Sequence, residues 1–305
     1  MNDFRSELSR IINRFSPGNG IHSSPLPGVR CIKMSHTGAR AKNYWSASFC
    51  IVTQGVKEIV LGREVYRCEA GYTIAAPVGL PVTSRIYSAS PDKPFLSLKI
   101  EFDPMALGEV AKNFDKAAQG ELPLRALLIG KASGPMLEAA LRLGKLFQFP
   151  GDAAVLGPLV TKEIFFHLLK GPDGPAILQF VRSGNTMHQI SMAIYSLLAD
   201  LREEIDVPSL AKEANMSRSS FFKHFKEATS LSPIQYQKRL RLLEAQRLMT
   251  EESETAEGAA YKVGYNSPSQ FSREYSRMFG SSPLRNTTKI KKAASLISER
   301  ILNSN

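Results

Sequence analysis

The chain has 305 residues, 43% of them hydrophobic, and a formal net charge of +11. That leaves room for two domains with real cores, and it favours an anionic partner. No stretch approaches the ~18 apolar residues of a membrane-spanning helix, and the charged, amphipathic opening MNDFRSELSRIINRFSP lacks a signal peptide's apolar centre, so no membrane partner and a cytoplasmic location are expected.

From about Val29 to Phe102 the periodicity is near two. Leu96, Leu98, Ile100 and Phe102 alternate with Ser97, Lys99 and Glu101, and earlier strands are expected at 47–53, 56–61, 64–68, 72–76 and 82–87. Gly55, Gly62-Arg63, Gly71 and Pro77–Pro81 punctuate them. Short strands at this spacing predict a sandwich or small barrel, an architecture that can hold a small ligand. Gly71-x5-Pro77-x-Gly79 resembles the second motif of cupin barrels, but the histidine expected after it is absent. The five histidines (His22, His36, His167, His188, His224) are scattered, so neither a metal nor a cofactor is expected. Cys31, Cys50 and Cys68 are odd in number and lack ligand spacing, which predicts free thiols. Cys50, between Phe49 and Ile51, is either an inert small hydrophobe or a sensor of oxidants and electrophiles.

After Asp103 apolar residues recur at helical spacing over Met136–Phe149, Val155–Leu169 and Met187–Ile205, for which covering the barrel is the plainer expectation. Breaks fall at Gly134-Pro135, Pro150-Gly151-Asp152 and Gly171–Pro175, the last reading as a hinge. The expected division is a ligand-sensing domain with trailing helices over 1–180, an all-α domain over 181–288, and a basic tail over 289–305. Lys289, Lys291 and Lys292 with Ile297 and Ile301 give that tail an amphipathic pattern, for packing or for phosphate contact.

The all-α part says one thing twice. Ser209–Pro233 moved forward by fifty residues lies on Ala259–Pro283 without a gap, with six of 25 positions identical: Lys212/Lys262, Ser217/Ser267, Ser219/Ser269, Phe221/Phe271, Ser232/Ser282 and Pro233/Pro283. Each copy reads as helix, tight turn, helix, at about 207–230 and 255–280. Ala211 and Ala214 permit close packing, Asn215 and Gly264 sit at the turns, and Ser217 and Ser267 are N-caps. Phe221/Phe225 and Phe271/Tyr275 face inward, with Phe279 following on the same side. The outer faces carry Arg218, Ser219, Phe222, Lys223 and Lys226, then Ser269, Ser272, Arg273 and Ser276. Small hydroxyls and one or two cations suit a DNA major groove, with Ser217, Lys226, Ser267 and Arg277 placed for phosphates. Solvated faces of two ordinary helical hairpins are the plainer account. Between the copies Ser232-Pro233 starts a helix to about Met249, roughly 25 Å long, able to set two readers about one DNA turn apart. Arg218–Arg247 and Arg273–Arg300 each hold seven basic and two acidic residues, around an acidic island at Glu251, Glu252, Glu254 and Glu257.

LAKEANMSRSSFFKHFKEATSLSPIQYQKRLRLLEAQRLM with AAYKVGYNSPSQFSREYSRMFGSSP resembles the DNA-binding domain of the AraC family of bacterial transcription regulators. The block from ASFC to EFDP resembles the N-terminal domain of a subset of that family. The resemblance implies base-edge contacts from Arg218, Ser219, Phe222 and Lys223 and from Ser269, Gln270, Ser272 and Arg273. It also implies an activator that engages double-stranded DNA and RNA polymerase under control of a small-molecule effector. A homodimer through the N-terminal domain is implied too, with Leu141, Leu143, Leu146 and Phe147 as candidates. Where the family has glycines this chain has Ser230 and Asn215, and Lys223 replaces a common arginine, so its point charge lacks the bidentate fork. Two other readings stay open: a cupin-like barrel enzyme with a helical docking domain, and a non-specific architectural DNA binder. No paired carboxylates, nucleophile–base couple or phosphate loop supports the enzyme, so none is expected.

Overall fold

In the computed structural model, which describes residues 2–114 and 125–302, with side chains as far as Lys292, the period-two segment becomes two antiparallel sheets. An opening helix α1 (Asn2–Arg14) precedes β1 (Gly20–Ser23), β2 (Val29–Met34), β3 (Ala41–Trp45), β4 (Ser48–Gln54), β5 (Val56–Leu61), β6 (Glu64–Glu69), β7 (Tyr72–Ala76), β8 (Leu80–Ser88) and β9 (Phe95–Glu101). After α2 (Pro104–Ala111) comes β10 (Leu128–Lys131), then α3 (Gly134–Lys145), a 3-10 turn (Leu146–Gln148), α4 (Pro150–Lys170), α5 (Gly174–Val181) and α6 (Thr186–Ala199). One sheet has the order β1-β2-β9-β4-β7-β10, the other β3-β8-β5-β6. β1, β2, β3 and β10 lie outside the strand spans named from the sequence; β1 and β10 have four residues each, too few for alternation to register, and VRCIKM and AKNYW break strict alternation.

The six-stranded sheet is buried on both faces. Phe49, Ile51, Leu96, Leu98 and Ile100 pack outward under α1, α3 and α4, with Leu8 and Ile12 of α1 wholly buried there. Val52, Ile74, Ala76 and Phe95 point inward, toward Ile59, Leu61, Cys68 and Val82 of the second sheet.

Three expectations change here. Leu141, Leu143 and Phe147 are 4%, 0% and 2% exposed, with Leu146 partly buried against the same core, so they cannot form a dimer face: α3 spends its apolar side on α1 and α4. The free apolar face belongs to α4, where Val155, Leu156 and Leu159 are exposed. The Gly171–Pro175 stretch is a tight turn between packed helices rather than a loose hinge. Gly174 N–H donates to Gly171 O at 3.0 Å, and a Cβ on Gly174 would collide with the Leu169 carbonyl. The helix expected to reach Ile205 stops at Ala199.

Beyond it come α7 (Val207–Glu213), α8 (Arg218–Thr229), α9 (Pro233–Glu251), α10 (Ala256–Lys262), α11 (Pro268–Phe279) and α12 (Pro283–Leu302). The tail therefore prolongs α12; the side chains of Ile297 and Ile301 lie outside the described residues. The two units belong to different cores. Ala214, Phe221, Phe225, Ala228, Leu231 and Tyr236 join Val78, Leu80, Ala126 and Leu127 of the sandwich in one cluster. Ala259, Ala260, Val263, Phe271 and Tyr275 form a separate one against the far half of α9.

Candidate DNA-binding surface

Each unit is built by the same local chemistry. Ser217 Oγ accepts from Ser220 N–H at 3.2 Å and Ser267 Oγ from Gln270 N–H at 3.3 Å, capping α8 and α11 at equivalent starts. Both helices end in a left-handed residue, Ser230 (φ 60°) and Gly280 (φ 77°). Ser232 and Gln235 close a reciprocal capping box at the head of α9. The register of fifty holds for α8 and α11 but slips by one at the turns. The left-handed residue is Asn215 (φ 51°) in the first unit and Gly264 (φ 85°) in the second, 49 positions on. α7 ends at Glu213 and α10 at Lys262, so the second unit takes one more residue between turn and cap.

Inside the units, Phe221 and Phe225 lie 5.6 Å apart by ring centroids and Phe225 meets Tyr236 of α9 edge-on at 5.4 Å. Phe271 and Tyr275 stand 5.5 Å apart, and Phe279 is 4.4 Å from Tyr275. Full burial of each such ring contributes about 2–3 kcal/mol. Ala211 and Ala214 are buried. Gly264 has an unforeseen neighbour: a Cβ there would lie 2.3 Å from the Arg202 carbonyl oxygen, in the chain leading to the first unit.

Outside, Arg218, Ser219, Lys223 and Lys226 of α8 are exposed, as are Ser269, Gln270, Arg273 and Arg277 of α11, with Ser272 half-buried. Phe222 is different. It is half-buried against the first unit's core, under the Arg218 guanidinium at 5.9 Å, which leaves an edge for a base. Gln270 Nε2 donates to Glu274 Oε1 at 3.3 Å, so reaching DNA would cost it that bond.

The residues that fix the two faces relative to one another were not singled out from the sequence. Arg241 of α9 donates from Nε to Leu201 O (2.6 Å), from Nη1 to Gly264 O (3.1 Å), and from Nη2 to Arg202 O (2.9 Å) and Glu203 O (2.8 Å). One guanidinium thus ties the connector to the entry of unit one and the turn of unit two. Glu274 of α11 pairs with Lys238 of α9 at 2.8 Å and accepts from Tyr265 Oη at 2.8 Å. Burial works to raise the Glu274 carboxyl, but the bonds from Lys238, Tyr265 and Gln270 outweigh it and hold it below the usual range. The available signal was an arginine set inside an apolar run, Leu240-Arg241-Leu242-Leu243.

The sandwich reaches this machinery at one end. Tyr236 Oη donates to Gly79 O at 2.6 Å, and Ala126 N–H to Ala228 O at 3.0 Å. Lys42 of β3 stands 5.9 Å from the Phe279 ring; its amine is lowered by burial and by the nearby Arg239. Cys50 is a free thiol raised by burial, with Lys57 and Lys99 acting the other way. Among the described residues no histidine, cysteine or carboxylate group gathers as a metal site, and no helix is long and apolar enough to cross a membrane.

This architecture has counterparts. The sequence model of the AraC-type transcriptional regulator N-terminus matches residues 25–176, and that of a helix-turn-helix domain residues 210–287. A probable transcriptional regulator, LumQ of Photobacterium leiognathi, is 34% identical over 85 residues, 28% of this chain and 34% of its own. The HTH-type transcriptional activator RhaS of Pectobacterium carotovorum is 26% identical over 123 residues, 40% of this chain and 44% of its own. The chain therefore spans less than half the length of these curated relatives. Unsaturated-fatty-acid-bound ToxT of Vibrio cholerae, at 14% identity, shares the fold over 85% of this chain and 94% of its own, with a TM-score of 0.57. With a matching domain at each end and the two-unit geometry between α7 and α11, this chain belongs to the AraC family of transcription regulators.

Proposed function

We propose that the protein is a sequence-specific transcription activator that reads double-stranded DNA with α8 and α11, under control of a small molecule held by the sandwich. The observation that carries this reading is the pair of capped helices with exposed cationic and hydroxyl faces, set on one helix by Arg241 and Glu274. α9 has 19 residues and so is about 28 Å long, which suits adjacent major-groove segments on one face of the duplex. Arg218, Ser219, Lys223, Ser269, Gln270, Ser272 and Arg273 are assigned to base edges, with Phe222 offering its rim. Ser217, Lys226, Ser267 and Arg277 are assigned to phosphates.

Control by an effector is supported by two things: the fatty acid bound by ToxT, which shares this fold, and the shared core of sandwich and first unit. A change in the sandwich is felt at Ala228 and Tyr236 without an intermediary. The protein works in the cytoplasm, without catalytic turnover, and engages RNA polymerase. A homodimer forms through α4, whose exposed Val155, Leu156 and Leu159 are flanked by charges already neutralised as Lys162–Glu109 and Arg142–Glu163, so self-association meets little repulsion.

The test is genome-wide mapping of bound sites followed by footprinting with the full chain. A discrete, asymmetric protected stretch of about 17–20 base pairs is expected. Diffuse protection would instead support an architectural binder, and protection of a palindrome with one helix per half-site would make the second unit merely structural.

A further inference from the structure

One cation inside the sandwich has no counter-ion among the described residues. Lys57 of β5 stands in the cross-strand row Cys68–Lys57–Ile86, and Ile59 and Leu61 follow it on the same face, so its side chain enters the space between the sheets. Its ammonium lies 4.3 Å from the Trp45 ring centroid and 6.0 Å from that of Phe95. It makes no hydrogen bond or ion pair with the described residues, and the ionisable groups that act on it are the Cys50 and Cys68 thiols and a like charge, Lys99. Burial raises both thiols, Cys68 to about 12, so neither supplies an anion at neutral pH.

Two neighbouring charges of the domain are matched. Buried Glu58, on the outer face of the same strand, is met by Arg40, Arg85 and Arg67. Lys99 has Ser46 Oγ at 2.9 Å and Glu101 at 3.6 Å. An ammonium taken from water without a partner is costly, and aromatic faces compensate only in part. The ammonium is nevertheless not sealed in. Ser16 Oγ is the only fully buried side-chain polar atom without a hydrogen bond among the described residues, so Lys57 Nζ borders space that a water-sized molecule reaches. Trp45, Tyr72 and Ile86, which face the same space, are likewise only partly buried.

We propose that the interior of the sandwich receives an organic carboxylate whose charged group pairs with Lys57 and whose apolar body packs against Trp45, Phe95, Tyr72 and Ile86. The inference rests on the N-terminal domain being the effector domain. A carboxylate fits better than a phosphate, because the site offers one unpaired cation among aromatic and aliphatic walls, and a dianion would need further donors. Trp45 holds the ammonium until the anion arrives.

Thermal-shift and calorimetric titrations of the full chain test this, with octanoate and benzoate as probes and octanol and benzamide as neutral counterparts. At least one carboxylate should raise the melting temperature, and its neutral counterpart should not. Lys57→Met should weaken carboxylate binding about tenfold or more, while the unliganded protein melts no lower, because a half-buried charge without a counter-ion among the described residues has been removed. Lys99→Met, whose lost charge has its own partners, should bind nearly as the parent does; Lys57→Gln replaces Lys57→Met if that variant does not fold. The proposal is overturned if neither carboxylate binds, if neutral and charged probes bind alike, or if Lys57→Met binds undiminished. It is also overturned if borohydride traps octanal on Lys57 while octanoate is ignored, because the amine would then act as a neutral nucleophile. Carboxylate binding without a discrete footprint would refute the regulator and leave this inference standing. A footprint without carboxylate binding would do the reverse.

Discussion

Replacing Arg241 by lysine asks whether one side chain sets the two reading units against each other. The guanidinium serves four carbonyls, three of them just ahead of unit one and the fourth in the turn of unit two, at 2.6–3.1 Å. An ammonium on a shorter stem reaches one or two of them, and loses the planar fork that spans both units. Hydrogen bonds from a charged donor are worth about 1.5–3 kcal/mol each. Arg241 is only partly buried, so the released carbonyls regain water, and the net loss should be about 2 kcal/mol rather than the sum. With a urea m-value of about 2 kcal/mol per molar, the helical transition should move down by about 1 M. Circular dichroism follows the helices, while the single tryptophan, Trp45 on β3, reports the sandwich separately and should shift less. Specific DNA affinity should fall about tenfold. The variant should also tolerate one base pair inserted between the two contacted segments better than the parent does. An unchanged midpoint together with unchanged spacing preference would refute the clamp.

Arg273→Ala should cost about 1–3 kcal/mol at the true site and relax preference at one base position, whereas Lys226→Ala should weaken all sequences alike and flatten the salt dependence; equal losses on specific and random DNA for Arg273→Ala would remove the base-contact assignment. Gly264→Val combines a positive φ of 85° with a Cβ 2.3 Å from the Arg202 carbonyl oxygen, so it should unfold the second unit locally and abolish specific binding. Hydrogen exchange should localise that loss to α10 and α11, and full protection there would contradict it. Glu58 is held at about 2, below the ordinary carboxylate value of 4.5, by hydrogen bonds from Arg85 and Arg40. Its stabilising contribution is thus complete above about pH 4.5 and lost as the pH falls toward 2. Acid unfolding of Glu58→Gln should show a stability gap to the parent that is constant above pH 5 and closes below it; a gap independent of pH would exclude the ionic origin.

Much of the reading machinery was legible in the sequence because it is local. Caps at Ser217, Ser232 and Ser267 and the inward pairs Phe221/Phe225 and Phe271/Tyr275 depend on spacings of three or four residues, which a linear string displays directly. Strict alternation showed β9 for the same reason, and Gly55, Gly62-Arg63 and Gly71 marked off β4 to β7.

Tertiary structure decided what covers each apolar face. The family resemblance offered Leu141, Leu143 and Phe147 for a dimer, because periodicity marks an apolar side without naming its partner, and α1 and α4 turned out to be that partner. The gapless repeat hid a one-residue slip at the turns, since helix ends are set by which residue can adopt positive φ, Asn215 or Gly264. Long-range chemistry was invisible for a deeper reason. Whether an arginine clamps four distant carbonyls, as Arg241 does, or a lysine finds no carboxylate, as with Lys57, depends on groups tens of residues away in sequence. Sequence alone established two repeated helix-turn-helix units behind a small β domain; only packing joined the first unit to that domain and left the second with a core of its own, because burial of apolar surface is non-directional and is settled by the assembled chain.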